Sequence, residues 1–248
     1  MRHIKKIIST ITALALILSM HSGCGMFTNY KAIAEQALED KYGEEFICYS
    51  TWDEGSFYYA KLSPAYDEGM KFYAGIDLKD KEAYYDTYTE AIVEEQIADI
   101  VYEQMADVWN EFCVHVTING QGIDIYNKDD ITIASYYNMI DYNMGYEINI
   151  DIAVNKSTFI NEKPTCEYEK YLNISKDIGV DDIYISLYFL DSIAYQEYKD
   201  WFYSTHSIYL GGFKDRDDFK KKILIHINCI SQEYTLSIDE YLQKRKEY

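Results

Sequence analysis

Five carboxylates recur at four-residue spacing in the middle of the chain: Glu95, Asp99, Glu103, Asp107 and Glu111. No Lys or Arg occurs between Lys81 and Lys128. On a helix that spacing makes one acidic ridge, which could dock a basic protein or gather divalent cations loosely. A single line of carboxylates does not converge oxygens around an ion, and no Asp-x-Asp-x-Asp-Gly loop occurs, so tight calcium binding is not expected. A second candidate is Ser135–Tyr146, SYYNMIDYNMGY, in which Tyr-Asn-Met occurs twice, at Tyr137 and Tyr142. Rings and amides together suit recognition of a glycan or a peptide. The plainer readings are a solvated helix face for the ridge and a β-hairpin packing its tyrosines on a sheet for the loop.

Other reactive side chains assemble less. Cys113 and His115 share one strand face, but two ligands are not a metal site, and no third is evident. His226 alternates with apolar neighbours, as an ordinary sheet histidine does. No His-Glu-x-x-His, Gly-x-Ser-x-Gly, Ser-x-x-Lys, Cys-x-x-Cys or phosphate-cradling glycine loop occurs. No catalytic residue, metal or cofactor is therefore assigned. Cys48, Cys113, Cys166 and Cys229 lie far apart without paired spacing, which favours buried thiols over disulfides.

The N-terminus sets the expected compartment. Arg2, Lys5 and Lys6 precede twelve apolar or small residues, Ile7–Leu18, the length of a signal-peptide centre and too short for a membrane span. Ser22-Gly23-Cys24-Gly25 resembles the cleavage box of bacterial lipoproteins, although His21 stands where a branched apolar residue is usual. The resemblance implies that residues 1–23 are removed and that Cys24 takes a lipid through its sulfur. It further implies attachment to the extracytoplasmic face of the cell membrane. Ordinary cleavage after Cys24 is the alternative and would give a secreted protein. Residues 24–28 form the tether, of which Gly25–Thr28 reach at most about 14 Å. Lys41-Tyr42-Gly43-Glu44-Glu45-Phe46 is similar to the start of many unassigned lipoproteins of low-GC Gram-positive bacteria, which implies a neighbourhood and no activity.

Removing Arg2, Lys5 and Lys6 from the 23 cations leaves 20 against 42 carboxylates, a net charge of −22. Such a surface repels phosphate backbones, so nucleic acid is excluded as a partner. Tyrosine is abundant, at 27 residues, and tyrosine-rich faces can bind glycans or peptides.

The elements that must position these groups alternate in type. Helices are expected over Asn29–Tyr42, Glu82–Phe112, Cys166–Ile178, Ile193–Phe202 and Ile238–Lys246. Strands are expected over Phe46–Trp52, Phe57–Leu62, Met70–Leu78, Val114–Ile118, Ile123–Tyr126, Ile131–Ile133, Tyr146–Val154, Asp182–Leu190 and Ile223–Ile230. Asn119-Gly120 should turn a hairpin. Short turns between strands favour an α+β class, with largely antiparallel sheet and a long amphipathic helix packed on it. A weak break at Asn127–Asp130 suggests two lobes, 29–127 and 128–248. The expected function is that of a membrane-anchored binding or interaction lipoprotein with a basic protein, glycan or peptide as partner. An envelope-acting enzyme with an unrecognised site and a transporter's solute-binding lipoprotein are the alternatives.

Overall fold

The computed structural model describes residues 29–119, 123, 125–140, 147–158, 164–180, 182–205, 222–228, 233–234 and 236–248. The expectations at Cys24, Tyr142 and Cys229 lie outside them. The chain enters through α1, Tyr30–Tyr42. The Asn29 side chain accepts from the Ala32 N–H, and Gly43 ends the helix in the left-handed region at φ 75°. Ala34, Ala37 and Leu38 form its buried stripe.

Four antiparallel strands follow: β1 (Phe46–Glu54), β2 (Phe57–Pro64), β3 (Phe72–Asp77) and β4 (Ala83–Asp86), paired in that order. Gly55, at φ 74°, makes the tight β1–β2 turn possible. The helix expected from Glu82 begins only at Tyr88. Residues 83–86 instead pair with β3, and the Asp86 carboxylate accepts the Tyr88 N–H where the chain turns into α2, Tyr88–Met105. Helical periodicity carries through residues 82–87, but strand pairing claims them.

The second sheet has the order β5–β6–β7–β8–β9, formed by Phe112–Asn119, Glu147–Asn155, Asp182–Leu190, Ile223–Asn228 and Glu233–Tyr234. Its pairs are antiparallel except β6 with β7, which run parallel across the helix α4, Pro164–Ile178. The fold is α+β. Among the described residues, Ile123, Ile125 and Tyr126 do not form the second strand of the hairpin expected at Asn119-Gly120: β5 pairs along eight positions with β6. Side chains at the start of α2 take the place of a partner strand. The Ile118, Ile123 and Ile125 N–H groups donate to Glu94, Glu90 and Thr89. Ile131–Ile133 is likewise no strand, because Ile133 opens the short helix α3, Ile133–Asn138, capped by Thr132.

Two more helices complete the order, α5 (Ser192–Thr205) and α6 (Ile238–Arg245). The inner faces of both sheets join α1, α2, α4 and α6 in one continuous core. That core spans the expected break at Asn127–Asp130. A smaller cluster, with Cys113, Ala153, Tyr188 and Leu190 under Tyr195 and Tyr198 of α5, covers part of the far face of the second sheet. Cys48, Cys113 and Cys166 are free thiols.

Candidate ligand-binding face

A strand with one solvated side should carry apolar residues inward and polar ones outward. The first sheet departs from that rule. Tyr58, Ala60 and Leu62 of β2, and Phe72, Ala74 and Ile76 of β3, fill the inner face and are buried. The outer face is aromatic as well. Trp52 of β1 stands opposite Tyr59 of β2, their rings stacked at 5.7 Å and 19°. Tyr73 of β3 meets the same indole edge-on at 5.8 Å. The Tyr84 hydroxyl donates to the Tyr59 hydroxyl at 2.9 Å, and the Tyr84 ring packs on Phe57 at 4.4 Å. Gly75 lies beneath that ring.

These rings remain open to solvent: Trp52 is 39% exposed and Tyr84 47%. Two lysines share the face. Lys61 stands opposite Ser50 and Tyr73, one row along from the Trp52–Tyr59 pair, with its ammonium 5.9 Å from the Tyr73 ring. Burial, and next to it the charge of Lys71, hold the Lys61 ammonium below the usual lysine range. The Lys71 ammonium lies 3.4 Å over the Tyr49 ring, whose hydroxyl bonds Ser63 at 3.0 Å. The result is a wide aromatic plate with phenolic hydroxyls and two ammonium groups. Trp52 and Tyr59 cover part of each other's faces, and the ring area left open to water can meet flat apolar groups while the hydroxyls bond polar substituents.

The residues expected from sequence are dispersed. Glu95, Asp99 and Glu103 are exposed on α2. Partial withdrawal of its carboxyl from water, with Asp67 and Asp99 beside it, still pushes Glu95 up to about 7 although the residue as a whole is exposed. Asp107 and Glu111 lie beyond the helix end at Met105 and leave the ridge: Lys170 pairs with Asp107 at 2.6 Å, and Asn155 donates to Glu111 at 2.6 Å. Tyr137 belongs to α3 and is only 9% exposed, so its ring packs inward and is not presented to a ligand.

The far face of the second sheet collects polar groups without a catalytic order. His115, Asp151 and Ser186 are neighbours across β5, β6 and β7. A serine relay needs the imidazole between hydroxyl and carboxylate, and here the carboxylate is central. Asp151 accepts from the Tyr188 hydroxyl at 3.2 Å, and Cys113 sits 3.4 Å from the Tyr195 hydroxyl. His226 contacts Asp182 at 3.0 Å and stacks on Tyr184. Among the described residues no group of three or more His, Cys, Asp or Glu could hold a metal ion. No described helix is long and apolar enough to cross a membrane.

With this geometry in view, one comparison bears on the chain. It is similar in fold to a DUF5037 family protein from Ruminococcus gnavus. That crystal structure matches with a TM-score of 0.70 at 15% identity, over 88% of this chain and 99% of the other. At such identity the likeness carries the fold alone. No protein-family model and no curated protein matches the chain.

Proposed function

We propose that this is a lipid-anchored, extracytoplasmic binding protein of a bacterial envelope, and that it takes an oligosaccharide on the outer face of its first sheet. The observation that carries the reading is the plate of Trp52, Tyr59, Tyr73 and Tyr84, partly open to water on a strand face that would ordinarily be polar. Burying such rings beneath a partner removes apolar area from water at roughly 25 cal/mol per Å². Pyranose rings suit the plate, because they offer an apolar C–H face to the indole and hydroxyls to the phenols. A peptide adding to the sheet would use an edge strand's backbone rather than this face. A lipid on Cys24 would hold α1, and the first sheet packed on it, beside the bilayer.

The test is calorimetric titration of the chain from Gly25 to Tyr248 with a panel of neutral and acidic oligosaccharides, alongside Trp52→Ala. Binding by the unaltered chain, lost on removing an exposed ring that the core does not need, supports the reading. Equal binding by both proteins, or no binding across the panel, overturns it.

A further inference from the structure

The position of the plate narrows the ligand. Resting on the binding and the anchoring proposed above, we propose that the oligosaccharide is the uncharged headgroup of a glycolipid in the bilayer that holds the protein. Three observations support this.

The first is where the chain enters the fold. Tyr30, the first residue of α1, packs its ring on Tyr58 with the centroids 4.9 Å apart. Tyr58 pairs with Asp53 and Ile76, one residue along the strands from the row of Trp52, Tyr59 and Gly75. One residue of strand is about 3.4 Å. α1 then leads away from that row and ends at Tyr42, beside Phe46 at the opposite end of β1. The helix therefore begins level with the plate, on the other face of the same sheet. Gly25–Thr28 extend at most about 14 Å, so an acyl group on Cys24 would keep the plate close to the headgroups. A glycan borne on a lipid of that bilayer lies within reach, and a polymer deep in the wall does not.

The second is the shape of the plate. It is a partly open sheet face, and such a face covers a sugar from one side only. Association costs about 4 kcal/mol or more in lost freedom, which so few contacts offset poorly for a free saccharide. Confinement of protein and glycan to one membrane changes that, because the encounter then occurs at an effective concentration of roughly millimolar.

The third is charge. Removal of residues 1–23 leaves 20 cations against 42 carboxylates. At the end of the sheet where α1 begins, Asp53, Asp77, Asp80 and Glu82 outnumber Lys79 and Lys81. Within the screening length of about 8 Å, that rim disfavours a phosphorylated or carboxylated headgroup. Uncharged hydroxyls meet no such repulsion, and the Tyr59 and Tyr84 hydroxyls can bond them.

The experiment uses the full chain, acylated by the cell that produces it and reconstituted in phosphatidylcholine vesicles. The vesicles carry digalactosyldiacylglycerol or diglucosyldiacylglycerol, and oxidation of Trp52 by N-bromosuccinimide is followed by peptide mass analysis. One of the glycolipids should slow that oxidation at least tenfold relative to plain vesicles. Its free disaccharide at the same bulk concentration should leave the rate nearly unchanged. A spacer of about twenty prolines between Thr28 and Asn29, roughly 60 Å long in the polyproline II form, should abolish the glycolipid effect. Titration of the spacer variant with free oligosaccharide should match that of the unaltered chain, which separates lost reach from a disturbed fold. Equal protection with and without the spacer, or no protection by either glycolipid, overturns the inference; the titrations with soluble saccharides then decide the plate reading by themselves. Protection by phosphatidylglycerol without glycolipid assigns the face to an anionic lipid surface and also overturns the proposal. Recovery of the chain without an acyl group removes the anchoring, and this inference with it.

Discussion

The ring of Tyr84 lies over Gly75 so closely that a Cβ at position 75 would come within 2.6 Å of it. The glycine is there for room. It lets Tyr84 lie down on the sheet, reach the Tyr59 hydroxyl and complete the plate on the β4 side. Gly75→Ala should drive the ring outward and break that bond. The end of a tyrosine can swing away, so the stability cost should stay near 1 kcal/mol, at the low end for an overpacked site. Oligosaccharide affinity should fall far more than the melting temperature does. Parallel thermal melts and titrations check this.

The last helix is fixed by charge. Glu167 of α4, fully buried, accepts from Arg245 Nε at 3.1 Å and from the Tyr241 hydroxyl at 2.6 Å, while the guanidinium lies 4.2 Å from the Phe189 ring. Removing one partner strands the other without compensation in the core. Glu167→Ala should therefore cost about 3–5 kcal/mol in urea unfolding. Glu167→Met combined with Arg245→Met should cost less than the single change, because no charge is then left buried. If the double variant is the less stable, the pair is stronger than its desolvation.

Stability should also depend on pH through Glu94. Burial pushes its carboxyl up to about 8, the Ile118 N–H pulls against that, and neighbouring Glu90 adds to it. The ordinary value is 4.5, so the folded protein keeps a proton that the unfolded chain releases. Native protein binds more protons across this window, and stability must fall as pH rises. The contribution is full below about 4.5 and lost as pH passes through about 8. Glu94→Gln retains an oxygen for the Ile118 N–H. It should raise the melting temperature at pH 8 and change it little at pH 4.5. The opposite pattern would contradict the assignment.

Much of the fold could be read from local chemistry. Asn29 and Gly43 bound α1, Gly55 marks the first hairpin, and the alternation of Ile223–Asn228 gives β8. What escaped was decided by distant partners. Residues 83–86 carry a helical pattern yet pair with β3. Ile123 and Ile125 look like half a hairpin, but their N–H groups are taken by Glu90 and Thr89 on α2. The acidic ridge was readable as far as Glu103, and only the helix end at Met105 withdrew Asp107 and Glu111. The loop tyrosine Tyr137 turned inward because Thr132 starts a helix there. The aromatic plate did leave a signal: Phe57-Tyr58-Tyr59 and Phe72-Tyr73 put rings on both faces of a strand. Composition alone attributes such runs to general tyrosine abundance.

The proposed anchor at Cys24 can be tested apart from the ligand. Cys24→Ala in the full chain should abolish incorporation of labelled palmitate and move the protein out of the membrane fraction. On the proposed anchoring, two acyl chains would supply the attachment, each buried methylene contributing roughly 0.8 kcal/mol. Retention of the variant in membranes would show that another segment holds it.

The central claim is that the outer face of the first sheet meets the ligand, and the Trp52 indole reports on it directly. Trp109 is 1% exposed and Trp201 half-buried, so Trp52 should be the first indole oxidised by N-bromosuccinimide. A bound oligosaccharide should slow that oxidation at least tenfold, located by peptide mass analysis, and leave the rate at Trp201 unchanged. Oxidation of Trp52 at the same rate with and without a bound saccharide, or no protection by any member of the panel, would contradict the account.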